Sequence, residues 1–230
     1  AAGSDSPVKI IKASLGGTVE PSTVAHAASH AAGGSDVVSI KQSQINDFVF
    51  TTEAARDAAI TSPTEGMRAY ITAPTIPAAT GSATYIPSGV QTIYNGSVWV
   101  CVTEIGAYQS ASGTTNWGYY TATLSGSPGT NVSVTLVTGT TALISLGASM
   151  RINVIGNEAG VSVAVSGATT LAATGTYGCG NTLTNTIITG HTTIIAGLTA
   201  GTNTFTLNYL GGSTATGTFG RRKLVVKGIA

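Results

Sequence analysis

The sequence predicts a mainly β protein, in which a C-terminal antiparallel β-sandwich of jelly-roll-like form follows a small mixed α/β N-terminal region. The first observation behind this prediction is an alternation of apolar and hydroxyl-bearing residues, clearest at residues 132–136, 161–166 and 204–209. A period of two is typical of strands that bury one face. The second observation is the spacing of glycine-containing turns after residue 119, which indicates about eight or nine short strands.

The composition favours strands and turns over helices. The 230 residues include 38 Thr, 22 Ser and 30 Gly, and 8% are charged, against about 25% in an ordinary soluble domain. An apolar fraction of 42% excludes a disordered polyelectrolyte. The net charge of +1 gives no long-range attraction to nucleic acid or anionic lipid, and the apolar runs are too short for a spanning helix. We therefore expect neither nucleic acid nor a membrane as a partner.

Charge also indicates how the chain is divided. Only three charged side chains lie in residues 69–220, namely Glu104, Arg151 and Glu158. The remaining charges lie closer to the two ends of the sequence. We predict an attachment and oligomerisation arm at residues 1–50, a small α+β module at 51–118 and the β-sandwich at 119–230.

Local signals place elements within the α+β module. Residues 51–60 form the best helix pattern of the chain, because Thr52 can cap the amino end and Pro63 follows the carboxyl end. Residues 93–100 predict a hairpin, because an Asn-Gly pair between apolar runs tolerates the positive φ of a tight turn. The prolines between residues 74 and 87 exclude a central strand there.

Few side chains could carry catalysis. The sequence has no Gly-x-Ser-x-Gly, His-Glu-x-x-His, Walker or Cys-x-x-Cys motif. The two glutamates of residues 69–220, Glu104 and Glu158, are 54 positions apart, so a glycosidase pair would need a chance juxtaposition. We predict a non-enzymatic protein with no catalytic residues and no cofactor. A site shared between subunits is left open.

Two histidines could face the same direction. His26 and His30 are four residues apart, which places both imidazoles on one side of a helix. They could bind a metal ion, in a trimer as stacked rings around the axis, or they could pack at a subunit interface. We predict packing and no metal site, because no Asp, Glu or Cys lies within five residues. The third histidine, His191, is predicted in a strand or turn.

Other side chains leave alternatives open. Aromatic residues cluster between positions 85 and 120, and of these Trp99, Trp117 and Tyr119 are candidates for stacking on a glycan, with core packing as the alternative. Cys101 and Cys179 are predicted as two separate thiols, with one disulfide as the alternative. The run at residues 221–223 indicates the solvated start of a strand, or a surface for an acidic partner.

Six segments resemble parts of tailed-bacteriophage appendage proteins. Residues 25–36 match the pattern HAxxHxxGGxD that recurs in phage fibre and appendage proteins, and residues 39–47 are similar to a stretch found beside it. Residues 50–67 with 94–100 resemble a module of minor tail and head appendage proteins. Two C-terminal segments, 197–209 and 219–226, are similar to the last strands of β-sandwich domains on such appendages.

The resemblance implies a virion structural protein, assembled in the host cytoplasm. It would be a homotrimeric capsid decoration, head fibre or minor tail protein that docks by its N-terminal region on major capsid or tail proteins and projects the sandwich. Small side chains in residues 25–34 would let three chains approach an axis. The interface candidates are Ala25, His26, His30, Gly33, Gly34 and Asp36. The alternative function is a glycan-binding module for adhesion to a host surface.

Overall fold

The computed structural model describes residues 48–115, 131–212 and 214–230, all within one compact unit, Asp47–Ala230. The elements are β1 (Phe48–Phe50), α1 (Glu53–Ala59), β2 (Arg68–Ile71), β3 (Ala78–Thr80), β4 (Ala83–Tyr85), β5 (Val90–Tyr94), β6 (Trp99–Cys101), β7 (Ile105–Gln109), β8 (Gly113–Thr115), β9 (Ser133–Thr138), β10 (Thr141–Ile152), β11 (Ala159–Gly167), a 3-10 turn (Gly175–Tyr177), β12 (Cys179–Asn181), β13 (Ile187–Ala196), β14 (Gly201–Leu210) and β15 (Gly217–Ile229). In the part of the chain that the structure describes, no helix is long and apolar enough to cross a membrane.

The predicted β-sandwich is confirmed. One sheet has the order β13-β10-β15-β7-β4, with β8 also pairing with β15, and the other has the order β12-β11-β14-β9-β3. Every pairing in these two sheets is antiparallel. Alternate residues of both sheets point into one apolar core, for example Ile144 from β10 and Val163 from β11. After residue 130 the described residues contain seven strands, fewer than the turn spacing indicates, because β10 and β15 run for 12 and 13 residues.

A smaller four-stranded sheet has the order β1-β2-β5-β6, in which only β1 and β2 run parallel. The predicted helix is present as α1, and the hydroxyl of Thr52 accepts a hydrogen bond from the amide of Ala55 at 3.2 Å. The predicted hairpin is also present. The side-chain oxygen of Asn95 accepts from the amides of Ser97 and Val98, and Gly96 has a φ of 88°.

Strands from the segment 51–118 also complete both sheets of the sandwich. β3 pairs with β9, β4 pairs with β7, and β7 and β8 both pair with β15. β3 and β4 end their sheets, which agrees with the expectation that the proline-containing stretch supplies no central strand. Residues on both sides of position 118 therefore share the same two sheets.

A β-bulge in β15 changes which of its residues face the core. The pairing with β10 shifts between Gly147 and Ser149, and Arg221 adopts a φ of 48° at this point. Phe219 and Arg222 consequently both point inward, although they are an odd number of residues apart. The expectation that residues 221–223 form a solvated strand start is wrong for Arg222, which is 0% exposed.

Hydrogen bonds and an aromatic ring surround the buried Arg222 guanidinium. Its Nη1 donates to the Tyr209 hydroxyl at 3.3 Å, and its Nη2 donates to the carbonyl oxygen of Ala111 at 3.2 Å. The guanidinium carbon lies 5.6 Å from the centre of the Tyr209 ring. Burial raises the pKa of the Tyr209 phenol, and the charge of Arg222 opposes that shift.

Candidate functional site

Most residues that the sequence nominates for a site lie outside the described residues. This holds for all interface candidates between Ala25 and Asp36, which include His26 and His30, and for Trp117 and Tyr119. His191 lies in β13, as predicted. Cys101 and Cys179 are free thiols, and burial raises the pKa of each to about 11.

Trp99 is a core residue of the four-stranded sheet. Its side chain is 8% exposed, and its ring centre lies 5.5 Å from that of Tyr94. The guanidinium carbon of Arg56 lies 4.7 Å from the ring centre, and Arg56 is held there by Asp57 at 2.8 Å. The Trp99 ring therefore offers little surface for stacking on a glycan, and packing is its role in this structure.

The structure brings a different set of residues together on the outer face of the six-stranded sheet. Cross-strand register aligns one row of outward residues over five adjacent strands: Tyr85, Gly106, Val225, Ser145 and Thr192. Because antiparallel partners project to the same side, these residues share one surface. The Thr192 hydroxyl donates to the Ser145 hydroxyl at 2.9 Å.

A second row lies beside the first and consists of Ala83, Tyr108, Lys223, Gly147 and Gly190. The two glycines are opposite each other, and neither position has room for a side chain. A Cβ on Gly147 would lie 2.9 Å from the Thr189 carbonyl oxygen, and one on Gly190 would lie 2.8 Å from that of Leu146. The surface is therefore low over β10 and β13 and high over β4 and β7, where the tyrosines stand.

We call the depression between these side chains the trough. A cleft of about 450 Å³ lies between Tyr85, Tyr108, Glu104 and Lys223, with Gly106 in its lining. A second hollow of about 260 Å³ shares Glu104, Lys223 and Val225 with it and extends to β10 and β13. Because they share three lining residues, the two depressions form one trough across the sheet.

Local structure positions the aromatic side of the trough. Tyr85 is 65% exposed and Tyr108 is 36% exposed, on neighbouring strands β4 and β7. The Ser82 hydroxyl donates to the carbonyl oxygen of Tyr108 at 3.2 Å and accepts from the amide of Ser110 at 3.1 Å, so it fastens the start of β4 to β7. These bonds hold the two tyrosines on adjacent strands of one surface.

The trough also contains three charged residues. Glu104, Lys223 and Lys227 all line its second hollow, so cations outnumber carboxylates there by two to one. Outside the trough, Glu158 immediately precedes β11, whereas Glu104 immediately precedes β7, so the two glutamates lie at the starts of strands in different sheets. Among residues 48–115, 131–212 and 214–230, no three His, Cys, Asp or Glu side chains lie close enough together to hold a metal ion.

Sequence reasoning placed the tyrosines of the trough in the aromatic cluster but did not select them as site residues. Tyr85 and Tyr108 are 23 positions apart, and only the pairing of β4 with β7 makes them neighbours. Lys223 belongs to the run at residues 221–223 that the sequence predicts as a solvated strand start, and Lys227 was not among the candidate residues. The sequence did contain a signal for Lys223: the alternation of residues 222–226 places Lys223 and Val225 on the same face of the strand.

Comparisons with known proteins add no family. No protein family model matches the chain, and no curated protein matches it. A solved structure of Arthrobacter globiformis T6 isomalto-dextranase complexed with panose is similar over 71% of this chain, with 16% sequence identity and a TM-score of 0.27. The matched region covers 33% of that chain. So low a TM-score supports no inference about function.

Proposed function

We propose that the β-sandwich is a non-catalytic glycan-binding domain and that its trough receives an acidic oligosaccharide. The observation that supports this proposal is the pair of exposed tyrosine rings beside a cleft of about 450 Å³ that also contains Glu104 and Lys223. Small-molecule sites are typically concave, largely apolar and provided with a few placed polar groups. The trough has this composition.

Each side of the trough suits a different part of a sugar. The apolar C–H face of a pyranose can stack on the rings of Tyr85 and Tyr108, whose hydroxyls stay in water. Lys223 and Lys227 can bind a sugar carboxylate, and the excess of cations over Glu104 favours an acidic sugar over a neutral one. The hydroxyls of Ser145 and Thr192 and the carboxylate of Glu104 can hydrogen-bond to sugar hydroxyls.

Replacing Tyr85 with alanine is expected to weaken glycan binding about tenfold or more, because truncating an exposed aromatic anchor commonly costs over 1 kcal/mol. Tyr85→Phe is the matched control and should bind like the wild type, because it keeps the ring. Titration calorimetry with polygalacturonate and hyaluronate oligosaccharides, and with neutral maltoheptaose for comparison, measures both effects.

A second pair of variants tests the charge preference. Lys223→Gln should lower affinity for the acidic oligosaccharides, and the loss should shrink at high salt. Arg151→Gln removes a cation from the same face of β10 outside the trough and should leave affinity unchanged. Equal binding by wild type, Tyr85→Ala and Lys223→Gln would refute the proposed site.

The second candidate function concerns the whole chain and is compatible with the first. We propose that the chain is a homotrimeric phage virion appendage, either a capsid decoration or head fibre or a minor tail protein, whose sandwich is its projecting part. The resemblance of residues 25–36, 39–47, 50–67 and 94–100 to phage appendage segments supports this candidate. The partners would then be major capsid or tail proteins and two further copies of the chain.

The solution mass tests this second candidate. Light scattering after size exclusion should give a multiple of three chains, each of 22.9 kDa, and adding a chelator should leave that mass unchanged if His26 and His30 only pack. Particles of one or two chains would contradict the trimer. A chelator-induced drop in mass would instead make the two histidines metal ligands.

A further inference from the structure

Strand β13 ends the six-stranded sheet. It pairs with β10 over ten residues, from Ile187 to Ala196, and among the described strands it has no partner on its other side. Natural edge strands commonly carry a charge, a proline or a bulge that discourages pairing with another chain. The ten residues of β13 contain no Asp, Glu, Lys, Arg or Pro, and the register of β13 with β10 is continuous.

The sequence of β13 is nearly the same in both directions. Residues 187–195 read Ile-Ile-Thr-Gly-His-Thr-Thr-Ile-Ile, so the pattern is symmetric about His191. The single exception is Gly190, whose counterpart is Thr192. A two-fold axis makes residues at equal distances from a central residue face each other in an antiparallel pair. Symmetry of this kind makes the strand complementary to a second copy of itself.

Two isoleucines on the outer face fit this pairing. Ile188 is 68% exposed and Ile194 is 54% exposed, although both are large and apolar. With the axis at His191, Ile188 of one copy would lie opposite Ile194 of the other, and this contact would occur twice. Thr189 would face Thr193 on the opposite side of the sheet. Cross-strand pairs of β-branched residues of this kind stabilise sheets.

We propose that β13 pairs antiparallel with β13 of a second copy about a two-fold axis at His191. The pairing joins two six-stranded sheets into one continuous sheet and removes both exposed edges. The outer faces of the two copies then lie on the same side, because even-numbered residues oppose even-numbered residues. Thr192, which lines the trough, would lie opposite Gly190 of the second copy, so the two troughs would be neighbours.

Charge substitutions at the two isoleucines test the register. In the double variant Ile188→Lys/Ile194→Lys, each new lysine faces a lysine of the second copy. In Ile188→Lys/Ile194→Glu, each new lysine faces a glutamate. Both variants place two charges at the same exposed positions, and they differ only in whether the opposed pairs repel or attract. Matching circular dichroism spectra and cooperative thermal unfolding of both variants establish that both fold, and the paired variant should have the higher thermal midpoint because association stabilises the folded state.

We expect the wild type and the Lys/Glu variant to have twice the particle mass of the Lys/Lys variant at the same concentration. If the chain also forms trimers elsewhere, the β13 pairing links those trimers, so the Lys/Lys variant should then have the mass of a single trimer and the other two proteins a larger mass. Mixing the Lys/Lys variant with Ile188→Glu/Ile194→Glu should restore the doubled mass, which a misfolded variant could not do. Identical masses for the wild type and both double variants, or no recovery in the mixture, would overturn the proposal.

Discussion

Replacing Arg222 with alanine is expected to lower the free energy of unfolding by about 3 kcal/mol or more. The change removes the donors to the Tyr209 hydroxyl and the Ala111 carbonyl, and a buried group such as the Tyr209 hydroxyl costs about 1–3 kcal/mol when it is left without a partner. It also leaves a cavity where a large side chain was fully buried. Urea denaturation followed by circular dichroism measures the loss.

Two controls define the origin of this effect. Arg221→Ala removes the neighbouring positive charge, which is exposed, and should change stability by no more than about 0.5 kcal/mol. Arg222→Lys keeps the charge but loses the planar fork that reaches two acceptors, so its stability should lie between those of the wild type and Arg222→Ala. Equal stability of Arg221→Ala and Arg222→Ala would show that Arg222 does not stabilise the core.

Replacing Asn203 with aspartate is expected to destabilise the protein by about 3 kcal/mol at neutral pH. The Asn203 side chain is 0% exposed, and its Nδ2 donates to the Thr138 hydroxyl at 2.8 Å and to the carbonyl oxygens of Thr199 at 3.0 Å and Gly201 at 3.4 Å. Aspartate has nearly the same shape but presents an oxygen to these three oxygens. The cost is therefore the repulsion and desolvation of a buried negative charge.

The pH dependence of this variant has a definite sign. Burial and the facing oxygens raise the pKa of the new carboxyl in the folded state above its value in the unfolded chain. The folded state then binds the proton more tightly, so the destabilisation should shrink as pH falls through the folded pKa and be smallest below the unfolded pKa. Stability relative to wild type should be compared at pH values from neutral to mildly acidic.

Asn208→Asp provides the matched comparison for this experiment. Asn208 lies on the same strand, β14, at an outward position that is partly exposed. The Asn208→Asp variant should change the free energy of unfolding by no more than about 0.5 kcal/mol, and its stability relative to the wild type should not recover in acid. An Asn203→Asp variant as stable as Asn208→Asp at neutral pH would contradict the buried hydrogen-bond network.

Local signals in the sequence were sufficient to predict those features of the structure that depend on residues close together in the chain. The Thr52 cap, the Asn95–Gly96 turn and the alternation of β9 and β14 each involve residues a few positions apart, and the structure confirms them. In β11 the valines are buried as expected, but Ser162 is buried as well, so that strand does not present the predicted hydroxyl-bearing outer face there. The sandwich class followed from the same alternation, because a period of two requires one buried face and a second layer to cover it.

Site residues depended on contacts that local patterns do not encode. Trp99 and Tyr85 belong to the same aromatic cluster in the sequence. In the structure, Arg56 and Tyr94 cover the Trp99 ring, whereas Tyr85 is exposed on the outer face of the six-stranded sheet. Arg222 was expected in solvent, because nothing in its neighbours indicated the bulge that turns it inward.

By itself, the sequence determined the β class, the turns and the low charge of this protein, because strand alternation and turn chemistry act over a few residues. The symmetric pattern of β13 is also visible in the sequence, but only the sheet order shows that it lies at an edge. The tertiary structure alone decided that β4, β7, β15, β10 and β13 lie side by side. This order brings together in one row residues that are up to 140 positions apart in the sequence, from Tyr85 to Val225. Local patterns do not encode such an order, because strand pairing over long sequence distances is set by the packing of the whole core.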